Sequence, residues 1–298
     1  MSRATPTVGL LYPGEMGASI GAALRALGTP VLWLSRGRSP ATRARAETAL
    51  LTEATSLTAL LQASSFVLSI CPPEAAQQLA TEVASRHFQG VYVDANAVSP
   101  QSILRMAALI EGEGADFVDG GIIGSPAGPG GDTRLYLSGA RASPVAALFQ
   151  GSNRLSTTVL DAPLGAASAL KMCFAAWTKG STALLLAVRA AAVKMDVEGP
   201  LLDQWDSSHP ELAERFAGIV RSSPRKAWRF VAEMDQIAQS FEAVEVTGAF
   251  HRAAADVYSR LSGFRDQMPG PGLDEMLSAL AGQQSPSPSE RENVAEAD

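Results

Sequence analysis

The chain has 298 residues, 46% hydrophobic and 18% charged, which describes a globular protein with material for about two domain cores. A net charge of −6 and a pI near 5.2 argue against a nucleic-acid surface, which needs a basic patch. Two cysteines, Cys71 and Cys173, exclude a disulfide framework or a zinc cluster, and their apolar neighbours suggest buried free thiols.

The first residues, MSRATPTVGL, lack the basic-then-apolar pattern of a secretory signal. The longest apolar segment, 183-ALLLAVRAAAVKM-195, carries Arg189 and Lys194 and falls short of the roughly 20 residues that span a bilayer. A cytoplasmic protein with no membrane partner is expected.

In chain order, TVGLL at 7–11 is a strand candidate followed by helical spacing over 17–28. VLWLS at 31–35 precedes a helical pattern over 40–54, FVLSI at 66–70 one over 73–86, and GVYVDA at 90–95 one over 99–114. Further strands are expected at 115–120, 134–139 and 155–160. Several helices open with Pro or Ser, which suit a first turn. Alternation of this kind predicts a parallel, doubly wound α/β sheet covered on both faces.

After Pro163 the strand signal stops. Residues 164–195 read as one helix of about 30 residues, on the order of 45 Å long. Its apolar residues fall on nearly all sides, so protein must enclose it, if necessary a second subunit. Helical patterns continue over 200–208, 210–222, 224–243, 247–264 and 273–282. The expected domains are 1–163, an α/β domain, and 164–282, an all-helical substrate and dimerisation domain. The Pro/Ser-rich tail, 283–298, is expected to be disordered.

The turn after the first strand, 12-YPGEMG-17, lies one glycine short of the dinucleotide-binding pattern G-x-G-x-x-G. Gly14 and Gly17 retain the close approach to a pyrophosphate and the packing of helix on strand, while Tyr12 replaces the first glycine and Pro13 stiffens the turn. Spacing alone leaves a cofactor turn and an ordinary strand-to-helix turn equally open. The second strand ends in 34-LSRGRSP-40, where an NAD site tends to carry an acid for the ribose hydroxyls. Here stand Ser35, Arg36 and Arg38, which suit a 2′-phosphate and favour NADP over NAD; a solvated basic loop is the plainer alternative.

Four segments in order resemble the β-hydroxyacid dehydrogenase superfamily, which includes 6-phosphogluconate and 3-hydroxyisobutyrate dehydrogenases. The turn 12-YPGEMG-17 matches G-x-G-x-M-G except at its first glycine. Segment 94-DANAVSP-100 resembles D-x-S-T-x-S-P with Asn96 in a serine place, and 119-DGGIIGSPAG-128 resembles the D-x-P-V-S-G-G substrate loop. Segment 165-GAASALKMCFA-175 keeps Gly165 and Lys171 of G-x-x-x-x-x-K-x-x-x-N but has Ala175 for the asparagine. The departures resemble a divergent, less characterised branch. The resemblance implies a Rossmann-type NAD(P)-binding domain joined by a long interdomain helix to an all-helical domain. It places Tyr12, Pro13, Gly14, Glu15 and Met16 at the cofactor, with Cys71 and Pro72 against the nicotinamide and Lys171 as general acid/base.

Lys171 sits between Leu170 and Met172 on an apolar helix. A lysine in a dry cleft has a lowered pKa and exchanges protons near neutrality, whereas one whose stem packs and whose amine reaches water does not. Asn96 follows a strand end and suits a hydrogen bond to substrate or to the nicotinamide ribose, or else a plain turn. Gly120 and Gly121 would let backbone N–H groups approach an anionic substrate, with Ser125 nearby. Thr178 or Lys179 is a candidate to replace the missing asparagine, and Asp235 falls where the family has a Lys-Asp pair. His87, His209 and His251 form no triad and no metal set.

The expected function is an NADP-dependent oxidoreductase acting on a small hydroxyacid or oxoacid, as a homodimer through the helical domain. An imine or iminium reductase of the same architecture and a non-catalytic NADP-binding or redox-sensing protein are the alternatives.

Overall fold

The computed structural model describes residues 5–282 apart from 223, 266 and 268; the tail expected to be disordered, 283–298, lies outside the described residues. The chain forms two compact units, Met1–Phe174 and Ala175–Asp298. In the first unit the order is β1 (Val8–Leu10), α1 (Glu15–Ala26), β2 (Val31–Trp33), α2 (Pro40–Thr48), β3 (Thr52–Glu53), α3 (Leu57–Ala63) and β4 (Phe66–Ser69). Then come α4 (Pro73–Ala84), β5 (Val91–Asp94), α5 (Pro100–Glu111), β6 (Asp116–Ile123), β7 (Arg134–Ser138), α6 (Ala142–Ala147) and β8 (Ser156–Val159).

The strands form one sheet in the order β3-β2-β1-β4-β5-β6-β7-β8. β1 to β6 pair in parallel; β7 runs antiparallel to β6, and β8 parallel to β7. The sheet is therefore mixed at one end, where an all-parallel sheet was expected. Only ten residues separate β6 from β7, enough for a reversal but too few for the helical crossover a parallel partner needs. The chain moves outward from β1 to β3 and returns to add β4 on the other side of β1. That switch point opens a crevice beyond the carboxyl ends of β1 and β4.

Both faces of the sheet are covered. Val8, Leu10, Val31, Leu68, Val93 and Val118 pack with Ile20, Ala23 and Leu24 of α1 on one face. Val67, Tyr92 and Phe117 pack with residues of α3, α4 and α5 on the other. Strands buried on both faces read as continuous apolar runs, which is why β1, β4 and β5 are plain in the sequence. Ser39, Ser56 and Ser99 cap α2, α3 and α5 by accepting from backbone N–H groups of their first turns.

The single helix expected over 40–54 is instead α2, a turn and the edge strand β3. Leu50 takes a left-handed φ of 56°, which ends the helix, and Thr52 and Glu53 pair with Leu32 and Trp33. The alanines of 41–54 carry helical spacing past the point where sheet pairing takes over, and α3 is too short to declare a period of its own.

The long helix α7 (Ala166–Lys194) starts in the first unit and continues in the second. It is followed there by α8 (Glu198–Ser208), α9 (Glu211–Ser222), α10 (Ala227–Glu242), α11 (Ala249–Arg260) and α12 (Leu273–Leu280). Met234, Ile237, Ala238, Tyr258, Leu261, Met276 and Leu277 are buried in this unit. Within the chain α7 is not enclosed as expected: Trp177 is 71% exposed and Leu184 50%. Cys173, expected to be buried, is exposed on α7 for the same reason. Among the described residues no helix is long and apolar enough to cross a membrane.

Candidate functional site

The turn from β1 to α1 lies at the switch point. A Cβ on Gly17 would stand 2.1 Å from the Tyr12 carbonyl oxygen, so only glycine lets α1 close onto the turn. Gly14 is the N-cap, in extended conformation, and no side chain caps the helix. The first-turn N–H groups of α1 are thus left for an anion, unlike those of α2, α3 and α5. Tyr12 is half-buried. Its ring lies 4.2 Å from the Arg38 guanidinium and beside Gly14, where a Cβ would meet it at an ordinary 3.7 Å. An uncapped helix start and a glycine cradle fit a dinucleotide.

Beyond β1, β2 and β3 is a cavity of about 370 Å³ whose lining includes Ser35, Arg36, Arg38, Glu53, Thr55 and Ser56. Arg38 donates to the Leu11 carbonyl at 3.2 Å, while its buried Nε has no partner. Arg43 of α2 donates to the Ser35 carbonyl at 2.9 Å. The Ser35 hydroxyl donates to the Glu53 carboxylate. Arg36, Arg38 and Arg86 line the cavity, with Arg43 adjoining, against two acids, Glu53 and Glu82, and the orphaned Arg38 Nε suits a phosphate oxygen.

At the ends of β4 and β5 the polar side chains serve one another. Asn96 is 3% exposed; its Nδ2 donates to Asp94 at 2.8 Å and to Ser69 at 3.1 Å, and its Oδ1 accepts from the Cys71 N–H at 2.5 Å. Asn96 thus joins the turn after β4 to the turn after β5. These bonds, two from the amide hydrogens and one to Oδ1, fit the turn role that was the alternative for Asn96. Burial, with Asp94 adding, pushes the Cys71 thiol up to about 12, so its reactivity as a thiolate is suppressed.

Burial pushes the Asp94 carboxyl up to about 7, against two hydrogen bonds from Asn96, with Asp119 on the adjoining strand adding to the rise. Between about pH 4 and 7 the folded state holds a proton that the unfolded chain releases, so stability falls as pH rises through that window. The loss is at most about 4 kcal/mol. Urea unfolding from pH 4 to 8 should show this decline, and Asp94→Asn should flatten it. A wild-type profile level over that range would refute the assignment.

Gly120 and Gly121 were expected in a substrate loop; they lie inside β6, opposite Leu137 and Tyr136 of β7. Their N–H groups belong to a paired strand, and their lack of side chain provides clearance. A Cβ on Gly121 would stand 2.5 Å from the Ala167 carbonyl oxygen and 3.3 Å from Lys171 Cβ, so the first turns of α7 lie directly on β6. Asp119, fully buried, fastens them. It accepts from the Ser168 N–H at 3.0 Å and hydroxyl at 2.6 Å, and from the Ser138 hydroxyl at 2.9 Å; Ser138 in turn accepts from the Ala167 N–H at 3.2 Å. These are first-turn donors without partners in the helix. Burial raises the Asp119 pKa despite those bonds. Lys171, half-buried, follows one turn later beside Gly121.

Ser125 is exposed in the loop after β6, which Ser19 of α1 ties down by accepting from the Ala127 N–H at 2.8 Å. Thr178, Lys179 and Asp235 belong to the second unit. Lys179 pairs there with Glu233 at 2.5 Å, both largely buried, so it is committed to that core. Ala175 is buried and offers no side-chain hydrogen bond. Among the described residues, no group of three His, Cys, Asp or Glu side chains is arranged to hold a metal ion.

Four polar residues that shape these surroundings were not anticipated from the sequence: Ser19, Arg43, Glu53 and Ser168. Only Glu53 carries a sequence signal. The interval from 35 to 66 is long enough for a further strand and helix, and 52-TEAT-55 supplies β-branched threonines where that strand forms.

The sheet order, the switch point and the glycine turn define a nucleotide-binding fold shared with NAD(P)-dependent dehydrogenases and reductases. Residues 7–148 match the NAD binding domain of 6-phosphogluconate dehydrogenase, and residues 192–261 match a domain of unknown function, DUF1932. The conserved protein MTH1747, of unknown function and described as structurally similar to 3-hydroxyacid dehydrogenases, is 30% identical with a TM-score of 0.65. That match covers 86% of this chain and 97% of the other. The chain belongs to this 6-phosphogluconate-dehydrogenase-like family, with a DUF1932 second domain. An uncharacterized 28.5 kDa protein of Methanothermus fervidus is 29% identical over 163 residues, 55% of this chain; the match spans 61% of that relative's length. The 3-hydroxyisobutyrate dehydrogenase of Mycobacterium tuberculosis, 17% identical with a TM-score of 0.67 over 93% of this chain and 99% of its own, shares the fold alone.

Proposed function

We propose that the chain is an NADP(H)-dependent oxidoreductase that moves a hydride between the nicotinamide and a small hydroxyacid or the matching oxoacid. The observation carrying this reading is Lys171, half-buried against Gly121 on a helix turn that Asp119 fastens to the sheet. Bound nicotinamide supplies the hydride acceptor in one direction and the donor in the other. As substrate is oxidised, the neutral Nζ of Lys171 takes the proton from the hydroxyl oxygen; in reduction the ammonium returns it to the carbonyl oxygen. The first turn of α1, with Tyr12, Pro13, Gly14, Glu15 and Met16, holds the pyrophosphate. Ser35, Arg36 and Arg38 hold the 2′-phosphate, and Cys71 and Pro72 flank the nicotinamide. Ser125 is the substrate contact proposed in the first unit.

Titration with NADPH and NADH, followed by oxoacids and cyclic imines with loss of nicotinamide absorbance, tests this. Tighter binding of NADPH and turnover of an oxoacid are expected. Turnover of imines alone would favour an imine reductase, the reading that buried Ala175 in the asparagine place supports. Binding without any turnover would leave a sensor, and failure to bind either cofactor at millimolar concentration would end all three.

We further propose a homodimer through the second unit. Trp177, Leu184 and Val188 on α7 and Met195 just past its end, spaced by seven, four and seven residues, are all exposed and make an apolar seam. Sedimentation should give a dimer at micromolar concentration, and Trp177→Glu should dissociate it. A monomeric wild type would refute the seam.

A further inference from the structure

Every guanidinium around the Ser35 cavity favours a phosphate, yet two acids, Glu53 and Glu82, also line it, and of these Glu53 touches Ser35. Glu53, at the end of the edge strand β3, is set opposite Trp33 by the sheet register, and its carboxylate accepts a hydrogen bond from the hydroxyl of Ser35, two residues past β2. We infer that Glu53 is a specificity-determining residue of the cofactor site, which lowers the preference for a 2′-phosphate over a ribose hydroxyl. This rests on the dinucleotide reading of the cavity, and it would hold whichever cofactor the wild type prefers.

Three features carry the inference. First, Ser35 is 5% exposed and its hydroxyl proton is directed to Glu53, so donating to a phosphate oxygen costs that hydroxyl its bond to Glu53. Second, a carboxylate touching Ser35 stands beside the place of the phosphate and repels a dianion, whereas its second oxygen accepts from a ribose hydroxyl. Third, the opposing charges are fixed elsewhere. Arg43 is held on the Ser35 carbonyl and Arg38 on the Leu11 carbonyl and the Tyr12 ring, while Arg36 is exposed. Glu53 is thus a negative counterweight whose bond is to a neutral hydroxyl, so its charge remains to act on a ligand. Discrimination comes from the repulsive element as well as the attractive ones.

Glu53→Gln tests this, because the amide oxygen still accepts from Ser35 while the charge is removed. Affinities for NADPH, NADH, 2′,5′-ADP and 5′-AMP are measured by calorimetry on wild type, Glu53→Gln and Arg36→Ala, with melting curves to confirm folding. The variant should bind NADPH and 2′,5′-ADP roughly five- to tenfold more tightly, and NADH and 5′-AMP unchanged or slightly more weakly. The gain should shrink at high salt. An NADPH-to-NADH affinity ratio within twofold of wild type overturns the inference, as does an equal change in both cofactors. The fragments preserve the test if intact cofactors bind weakly. If Arg36→Ala leaves NADPH affinity untouched and NADH binds better to wild type, the NADP preference fails, yet the change of ratio in Glu53→Gln still decides the role of Glu53.

Discussion

Lys171→Met is expected to lower turnover by about 10²- to 10⁴-fold while leaving the dissociation constant for NADPH within about twofold. The size follows from the role: the proton on the substrate oxygen must move as the hydride moves, and Lys171 is the titratable side chain that the α7–β6 contact sets beside Gly121. Methionine keeps the length and apolar stem of lysine, so packing between Leu170 and buried Met172 survives. The unchanged cofactor affinity separates loss of chemistry from loss of fold, since the α1 turn and the Ser35 cavity are built from other elements. Steady-state rates with the best substrate found, alongside NADPH titration, provide the check. A Lys171→Met enzyme retaining more than a tenth of wild-type turnover would remove Lys171 from the chemistry.

Asp119→Ala is expected to destabilise the first unit by about 3–5 kcal/mol, lowering Tm by roughly 10 °C. The substitution leaves the N–H and hydroxyl of Ser168 and the hydroxyl of Ser138 without their acceptor, all three residues being fully buried. It also removes a carboxylate from the positive end of α7. Asp119→Asn should cost about half as much, because its one oxygen still accepts while the serine hydroxyls can turn to accept from the amide. Urea unfolding followed by circular dichroism measures both. A loss below about 1 kcal/mol for Asp119→Ala would mean that α7 is held by packing alone. Because Lys171 is three residues beyond Ser168, Asp119→Asn should also slow turnover through misplacement of the amine, with less effect on cofactor binding.

The legible parts of this protein are those that local chemistry decides. Val8–Leu10 and Val91–Asp94 are buried on both faces, and a strand of that kind needs an apolar run whatever its neighbours are. The serines ahead of α2 and α5 announce helix starts because a cap bonds within three residues. Gly17 and Lys171 stand out through spacing and family resemblance, and Gly17 has the tight contact that such spacing implies.

Other features were hidden where the partner was distant in sequence. For Asn96 the sequence left a ligand contact and a turn role open, because its bonds to Ser69 and to the Cys71 N–H span 27 and 25 positions, beyond any local pattern. The strand expected over 115–120 stopped short of Gly121 since glycine in a strand lowers its signal; the clearance of Gly120 for Ala95 and of Gly121 for Ala167 appears only once strand and helix are stacked. Glu53 was hidden in a helical pattern until β3 paired with β2.

The amino-acid order alone determined the alternation of strands and helices, the nucleotide-binding turn and the lysine on the long helix, because each depends on periodicity or on neighbours within a few residues. Tertiary structure decided which polar groups meet: it joined Asn96 to Ser69 and Cys71, buried Asp119 beneath α7 and brought Glu53 to Ser35. Hydrogen-bond partners are chosen by proximity in space, and proximity across a sheet is set by strand order and register rather than by separation along the chain.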